Sequence, residues 1–125
     1  MRAIYLWVNA ALYLVFAFWM TLRPWRTSAA VGYVTLSASG RSEFLVIYGG
    51  LQLGLSAFFA WCAWRPTLHG VGILLALCLY APIVLYRLIT IGRFWPLAPA
   101  TIGVAVLEVA LLVGAIMLIA WVDLQ

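Results

Sequence analysis

The stretch Gly70–Ile91, GVGILLALCLYAPIVLYRLITI, decides the fold. A helix needs about 20 predominantly apolar residues to cross a hydrocarbon core of about 30 Å, and this run supplies them with a single charge, Arg87, close to its far end. A spanning strand would need only about 10 residues and would alternate polar with apolar side chains. The run is apolar on every face, so the helix is the reading that satisfies its backbone.

Three more runs of the same kind lie outward from it, separated where Arg, Pro, Gly and Ser collect. The first covers residues 3–22 and stops at Arg23-Pro24-Trp25-Arg26. The second covers 43–64 and stops at Arg65-Pro66. With the third at 70–91, the fourth covers 97–122 and contains Glu108. Composition agrees: of 125 residues 68% are hydrophobic and 8% charged, with seven Arg, no Lys and three acids, and the mean hydropathy is +1.16. A soluble domain runs at about 45–50% apolar and about 25% charged. These values exclude a soluble globular domain, a disordered tail and a disulfide-stapled secreted module. The expected fold is all-α, a polytopic transmembrane four-helix bundle forming one domain over 1–125. Its principal partner is then the lipid bilayer.

Tryptophan favours the membrane interface, where the ring is buried and the N–H stays wet. Trp7, Trp19, Trp25, Trp61, Trp64, Trp95 and Trp121 all fall near a proposed span end or in an adjoining loop. The N-terminal run is longer than a signal-peptide core, and no convincing small-residue cleavage site follows Leu22, so it is expected to stay as the first span. The loop from Arg23 to Ser42 has room for structure, and Ser28 to Leu36 is mildly amphipathic, suited to lying along the interface. Loops one and three share a side and hold Arg23, Arg26, Arg41 and Arg93. The positive-inside rule puts them in the cytoplasm and both termini outside. The arginines form no basic stripe, so no nucleic-acid partner is expected.

Ionisable side chains inside a span are costly, so each needs a partner or a wet cavity and is a functional candidate. Glu43 opens the second span, Arg87 lies near the end of the third, and Glu108 lies well inside the fourth. Antiparallel neighbours bring all three to the half of the bundle beneath loops one and three. Arg87 has the reach to meet either acid. Ala105, Thr101 and Ala115 share the face of Glu108, and Tyr80 and Thr90 flank Arg87. Pro82 removes a rung of the third helix's hydrogen-bond ladder and predicts a kink. On the second span Tyr48 and Gln52 are i,i+4 neighbours, while Gly49, Gly50 and Gly54 remove bulk. Gly50 and Gly54 have the small-x-x-x-small spacing of closely packed membrane helices.

Two readings follow. In one, the set is an ion pair with hydrogen-bonded neighbours that fixes helix register. In the other, Glu43, Tyr48, Gln52, Arg87 and Glu108 line a polar pocket, closed over by loop one, for a small or amphiphilic ligand. The run Glu43-Phe-Leu-Val-Ile-Tyr48-Gly49-Gly50-Leu-Gln52-Leu-Gly54, with Arg87 late in the third span and Glu108 in the fourth, resembles domain-of-unknown-function family 4345. Those are small bacterial membrane proteins distantly similar to DoxX-like proteins. The resemblance implies a four-helix bundle in a bacterial inner membrane and no particular activity.

Other chemistries lack their residues. Cys62 and Cys78 lie at different depths, so a thiol pair is not expected. His69 stands alone in loop two, without the clustered ligands that a metal or haem needs. No catalytic triad or phosphate-cradling glycine loop can be assembled. No cofactor is expected, and an enzyme is the least supported class. The reading favoured is a ligand-binding or accessory membrane protein, with a homodimer or another membrane protein as a further partner. The alternative is a small proton-coupled transporter acting as a dimer. Small multidrug exporters have a carboxylate in their first helix, whereas this first span carries Asn9, which leaves Glu108 for that task.

Overall fold

A computed structural model describes residues 1–33 and 37–123. Among the described residues it contains five helices and no strand. We name them α1 (Arg2–Leu22), α2 (Pro24–Ala30), α3 (Ala38–Trp64), α4 (His69–Phe94) and α5 (Pro99–Asp123). Four of these are long and apolar enough to cross a membrane: α1, α3, α4 with the 3₁₀ turn that precedes it, and α5. Large apolar side chains stand exposed along all four, among them Ile4, Val15, Leu74, Leu85, Val106 and Met117. Water would not tolerate such faces and lipid requires them. The chain is an all-α bundle of the multi-pass membrane type.

The short connections set the topology. α1 packs chiefly on α3, and α4 on α5. The two pairs meet most closely at the loop-two end, where Leu6, Phe59, Cys62, Ile73 and Ala76 are buried together. Small residues make this approach possible. A Cβ on Gly72 would stand 2.7 Å from Leu6 Cδ2 and 2.9 Å from Cys62 Cβ, and one on Gly114 would stand 2.9 Å from the Tyr5 ring. Polar atoms in this region are paired. The Tyr5 hydroxyl donates to the Leu111 carbonyl at 2.7 Å, Ser56 Oγ donates to the Ala10 carbonyl at 2.8 Å, and the Tyr80 hydroxyl donates to Asn9 Oδ1 at 2.6 Å. Such bonds matter in a bundle, because lipid offers polar groups no alternative partner.

Loop one, where the sequence leaves room for structure, holds a short helix. Pro24, with its φ already helical, opens α2. Gly32, at φ +98°, ends it: Tyr33 N–H donates to the Ser28 carbonyl and Gly32 N–H to the Ala29 carbonyl. This is a Schellman ending, in which only glycine takes the left-handed position at no steric cost. The helix is therefore 24–30 and takes in the first residues of the amphipathic stretch 28–36. Thr27 and Ser28 are buried, their hydroxyls donating to the carbonyls of Arg23 and Trp25. Residues 34–36 of the expected interfacial stretch, and the side chain of Trp121, lie outside the described residues.

α3 also begins earlier than hydropathy predicts. Ser37 caps it, accepting from Gly40 N–H at 3.1 Å, and the polar first turn at Ala38–Arg41 is helical although it reads as loop. From Val46 to Leu51 the helix widens into a π turn before resuming at Gln52. Pro82 stands inside a continuous α4.

Candidate ligand-binding cavity

Between the two helix pairs lies a half-open cavity of about 390 Å³ at the end of the bundle beneath loop one. Its walls come from four helices and the exit of α2. Leu12, Tyr13, Phe16, Trp19 and Met20 line it from α1, Tyr48 and Gln52 from α3, and Tyr80, Ile83 and Arg87 from α4. Thr101, Val104, Leu107, Glu108 and Leu111 line it from α5, and Ala30–Tyr33 from loop one.

The electrostatic centre is one ion pair. Arg87 Nε donates to Glu108 Oε2 at 2.9 Å and Nη2 to Oε1 at 2.8 Å, a bidentate fork that engages both carboxylate oxygens. The side chains are 29% and 14% exposed. The helix bounds explain why these two meet. Arg87 lies seven residues inside the end of α4 and Glu108 nine inside the start of α5, so at 1.5 Å per residue their depths are about 10 and about 14 Å. Thr90 Oγ1 donates to the Arg87 carbonyl at 3.0 Å and ties up the backbone beside it.

Tyr48 sits on the π turn. An i→i+5 turn is rare and is frequent at functional positions; here it holds the Tyr48 ring against Phe44, with centroids 4.7 Å apart. Tyr33 packs edge-on against the same Phe44 at 5.9 Å. The Schellman ending thus delivers an aromatic side chain to the rim where α3 begins.

Of the five pocket residues expected from the sequence, Tyr48, Gln52, Arg87 and Glu108 line the cavity. Glu43 does not: it is exposed, and the bundle-facing residue of that turn is its neighbour Phe44, which is buried. Arg87 pairs with Glu108 and not with Glu43. The glycines divide as well. A Cβ on Gly49 would stand 2.7 Å from Thr21 Oγ1 of α1, whereas one on Gly50 or Gly54 would meet nothing. The face of α3 against α1 runs through Gly49, Ser56 and Phe59, all buried. Gly50 stands about 100° round from it, so the Gly50–Gly54 spacing meets no neighbouring helix among the described residues.

The α1 wall was not singled out from sequence. Its signal is present: Leu12, Tyr13, Phe16, Trp19 and Met20 follow the i, i+1, i+4, i+7, i+8 spacing of one helix face. Asn9 is fully buried as the acceptor for Tyr80. His69 opens α4, its Nε2 3.2 Å from the Ala63 carbonyl. Cys62 and Cys78 are unpaired thiols, and no cluster of three metal-ligating side chains occurs among the described residues. No protein-family model, curated protein or solved structure matches this chain.

Proposed function

We propose that this is a ligand-binding or accessory protein of a bacterial inner membrane, and that it holds a small amphiphilic molecule in the cavity between its helix pairs. One observation carries the reading: an aromatic-walled space of about 390 Å³ surrounds a charged pair inside a membrane-type bundle. Pockets for small molecules are concave and mostly apolar, with a few placed polar groups, and begin at about 300 Å³. Structural packing alone would fill such a space, because unfilled volume forfeits contacts. The arginines of loops one and three favour a cytoplasmic mouth. A proton-coupled carrier needs a free carboxylate in the bundle, whereas both Glu108 oxygens accept from Arg87 and Glu43 is exposed.

Native mass spectrometry of protein released from nanodiscs tests this. The parent is expected to carry one small-molecule adduct that is lost in Val104→Trp, a substitution that fills the cavity from α5. An adduct of equal occupancy in both proteins, or none in the parent, overturns the proposal.

A further inference from the structure

The charge balance of the cavity and the spare donors of Arg87 narrow the choice of ligand, an inference that rests on the ligand-binding reading above. Arg87 and Glu108 are the only charged side chains among the lining residues, and they neutralise each other. An anion set on the remaining Arg87 donors would add a second negative charge beside Glu108, and a cation set on Glu108 would add a second positive charge beside Arg87. Either leaves one charge uncompensated in a low-dielectric site.

Arg87 keeps hydrogen-bond donors to spare. A guanidinium has five N–H donors, and Glu108 takes one from Nε and one from Nη2. The others have no protein acceptor among the described residues, and the Gln52 amide and the Thr101 hydroxyl have no side-chain hydrogen bond there. All of these side chains line the cavity. The remaining wall is aliphatic or aromatic. At about 30 Å³ per water-sized group, the volume of about 390 Å³ takes roughly a dozen heavy atoms.

We propose that the cavity binds uncharged amphiphiles whose head is a hydrogen-bond acceptor, a hydroxyl or carbonyl set against Arg87 and Gln52, with a medium-length apolar body between α1 and α5. The Arg87–Glu108 pair stays closed when the ligand binds and rejects anionic heads of the same length.

Trp19 lines the cavity and reports occupancy directly. Terminally dibrominated decanol and decanoate, titrated into detergent-solubilised protein at mildly alkaline pH where the acid is ionised, quench tryptophan near the bromines. The alcohol is expected to quench a saturable component that is missing in Trp19→Phe, and decanoate to do so about tenfold more weakly. If decanoate saturates the Trp19 component as tightly as the alcohol, selectivity for a neutral head is wrong and the pocket stands. If neither probe gives a saturable component that depends on Trp19, the pocket itself fails.

Discussion

Removing both partners of the Arg87–Glu108 pair should cost well under the sum of the two single removals. The magnitude lies between two limits: an exposed pair is worth about 0–1 kcal/mol, and breaking a fully buried one costs about 3–5 kcal/mol. With side chains 29% and 14% exposed, the pair falls between them. The costs are also unequal. In Glu108→Gln the orphaned arginine can extend its guanidinium towards the interface about 10 Å away, as long basic chains do, so the expected loss is about 1 kcal/mol. In Arg87→Met the orphan is a carboxylate about 14 Å deep on a shorter side chain, and the expected loss is about 2 kcal/mol. The double variant leaves no orphan and should lose about 1 kcal/mol, because an uncharged pair of similar volume is often close to neutral. The coupling is then about 2 kcal/mol, roughly a 30-fold effect on the folding equilibrium. Reversible unfolding in mixed micelles, titrated with a denaturing detergent and followed by far-UV circular dichroism, measures all four corners of the cycle. The exchange of charges, Arg87→Glu with Glu108→Arg, should be more stable than either of its single components. If the single losses add to the double loss within about 0.5 kcal/mol, or the exchange is no better than its components, the pair is not the organising contact described here.

The glycines of the bundle should separate by contact and not by motif. Gly72→Ala presses a Cβ onto Leu6 and the Cys62 Cβ and should cost about 1–3 kcal/mol, Gly49→Ala somewhat less because Thr21 is at the exposed surface, while Gly50→Ala and Gly54→Ala should be neutral or gain up to about 1 kcal/mol of helix propensity; the same detergent unfolding ranks them. Tyr80→Phe leaves the fully buried Asn9 Oδ1 without its donor and should cost about 1 kcal/mol, a loss partly restored by adding Asn9→Leu. For orientation, single cysteines at the exposed positions Ser39 and Thr67, in a background with Cys62 and Cys78 replaced, should react with an impermeant maleimide from opposite sides. Labelling of Ser39→Cys from the cytoplasmic face agrees with the arginine distribution, and labelling from the outer face reverses the topology.

The four spans and the need of Arg87 for an acidic partner were legible because lipid imposes both: length and apolarity follow from the thickness of the core, and a charge inside it needs a partner, though spacing alone left Glu43 and Glu108 equally open to it. The start of α3 was not, since hydropathy is blind to the Ser37 cap and counts a polar helical turn as loop. Glu43 was drawn into the pocket for the same reason. Placed at the head of a span it belongs at the mouth; placed in the second turn of a longer helix it lies beside the bundle-facing Phe44. The Gly50–Gly54 spacing defines a face but not the neighbour that face meets, and the buried neighbour was one residue away at Gly49.

The α1 wall of the cavity illustrates a harder problem. In a soluble protein an apolar stripe marks the inside, but a membrane helix is apolar on its lipid side too, so Leu12, Tyr13, Phe16 and Trp19 carry no inside-or-outside information by polarity alone. The side chains that do carry it are the few that lipid would penalise. On α1 that residue is Asn9, and Tyr13, Phe16 and Met20 follow it at i+4, i+7 and i+11 along one face of the helix. Reading outward from Asn9 would have turned the aromatic stripe inward and placed α1 opposite Tyr80. The polar residue that the carrier comparison counted only as a missing acid is thus the strongest indicator in the first span of where the interior lies.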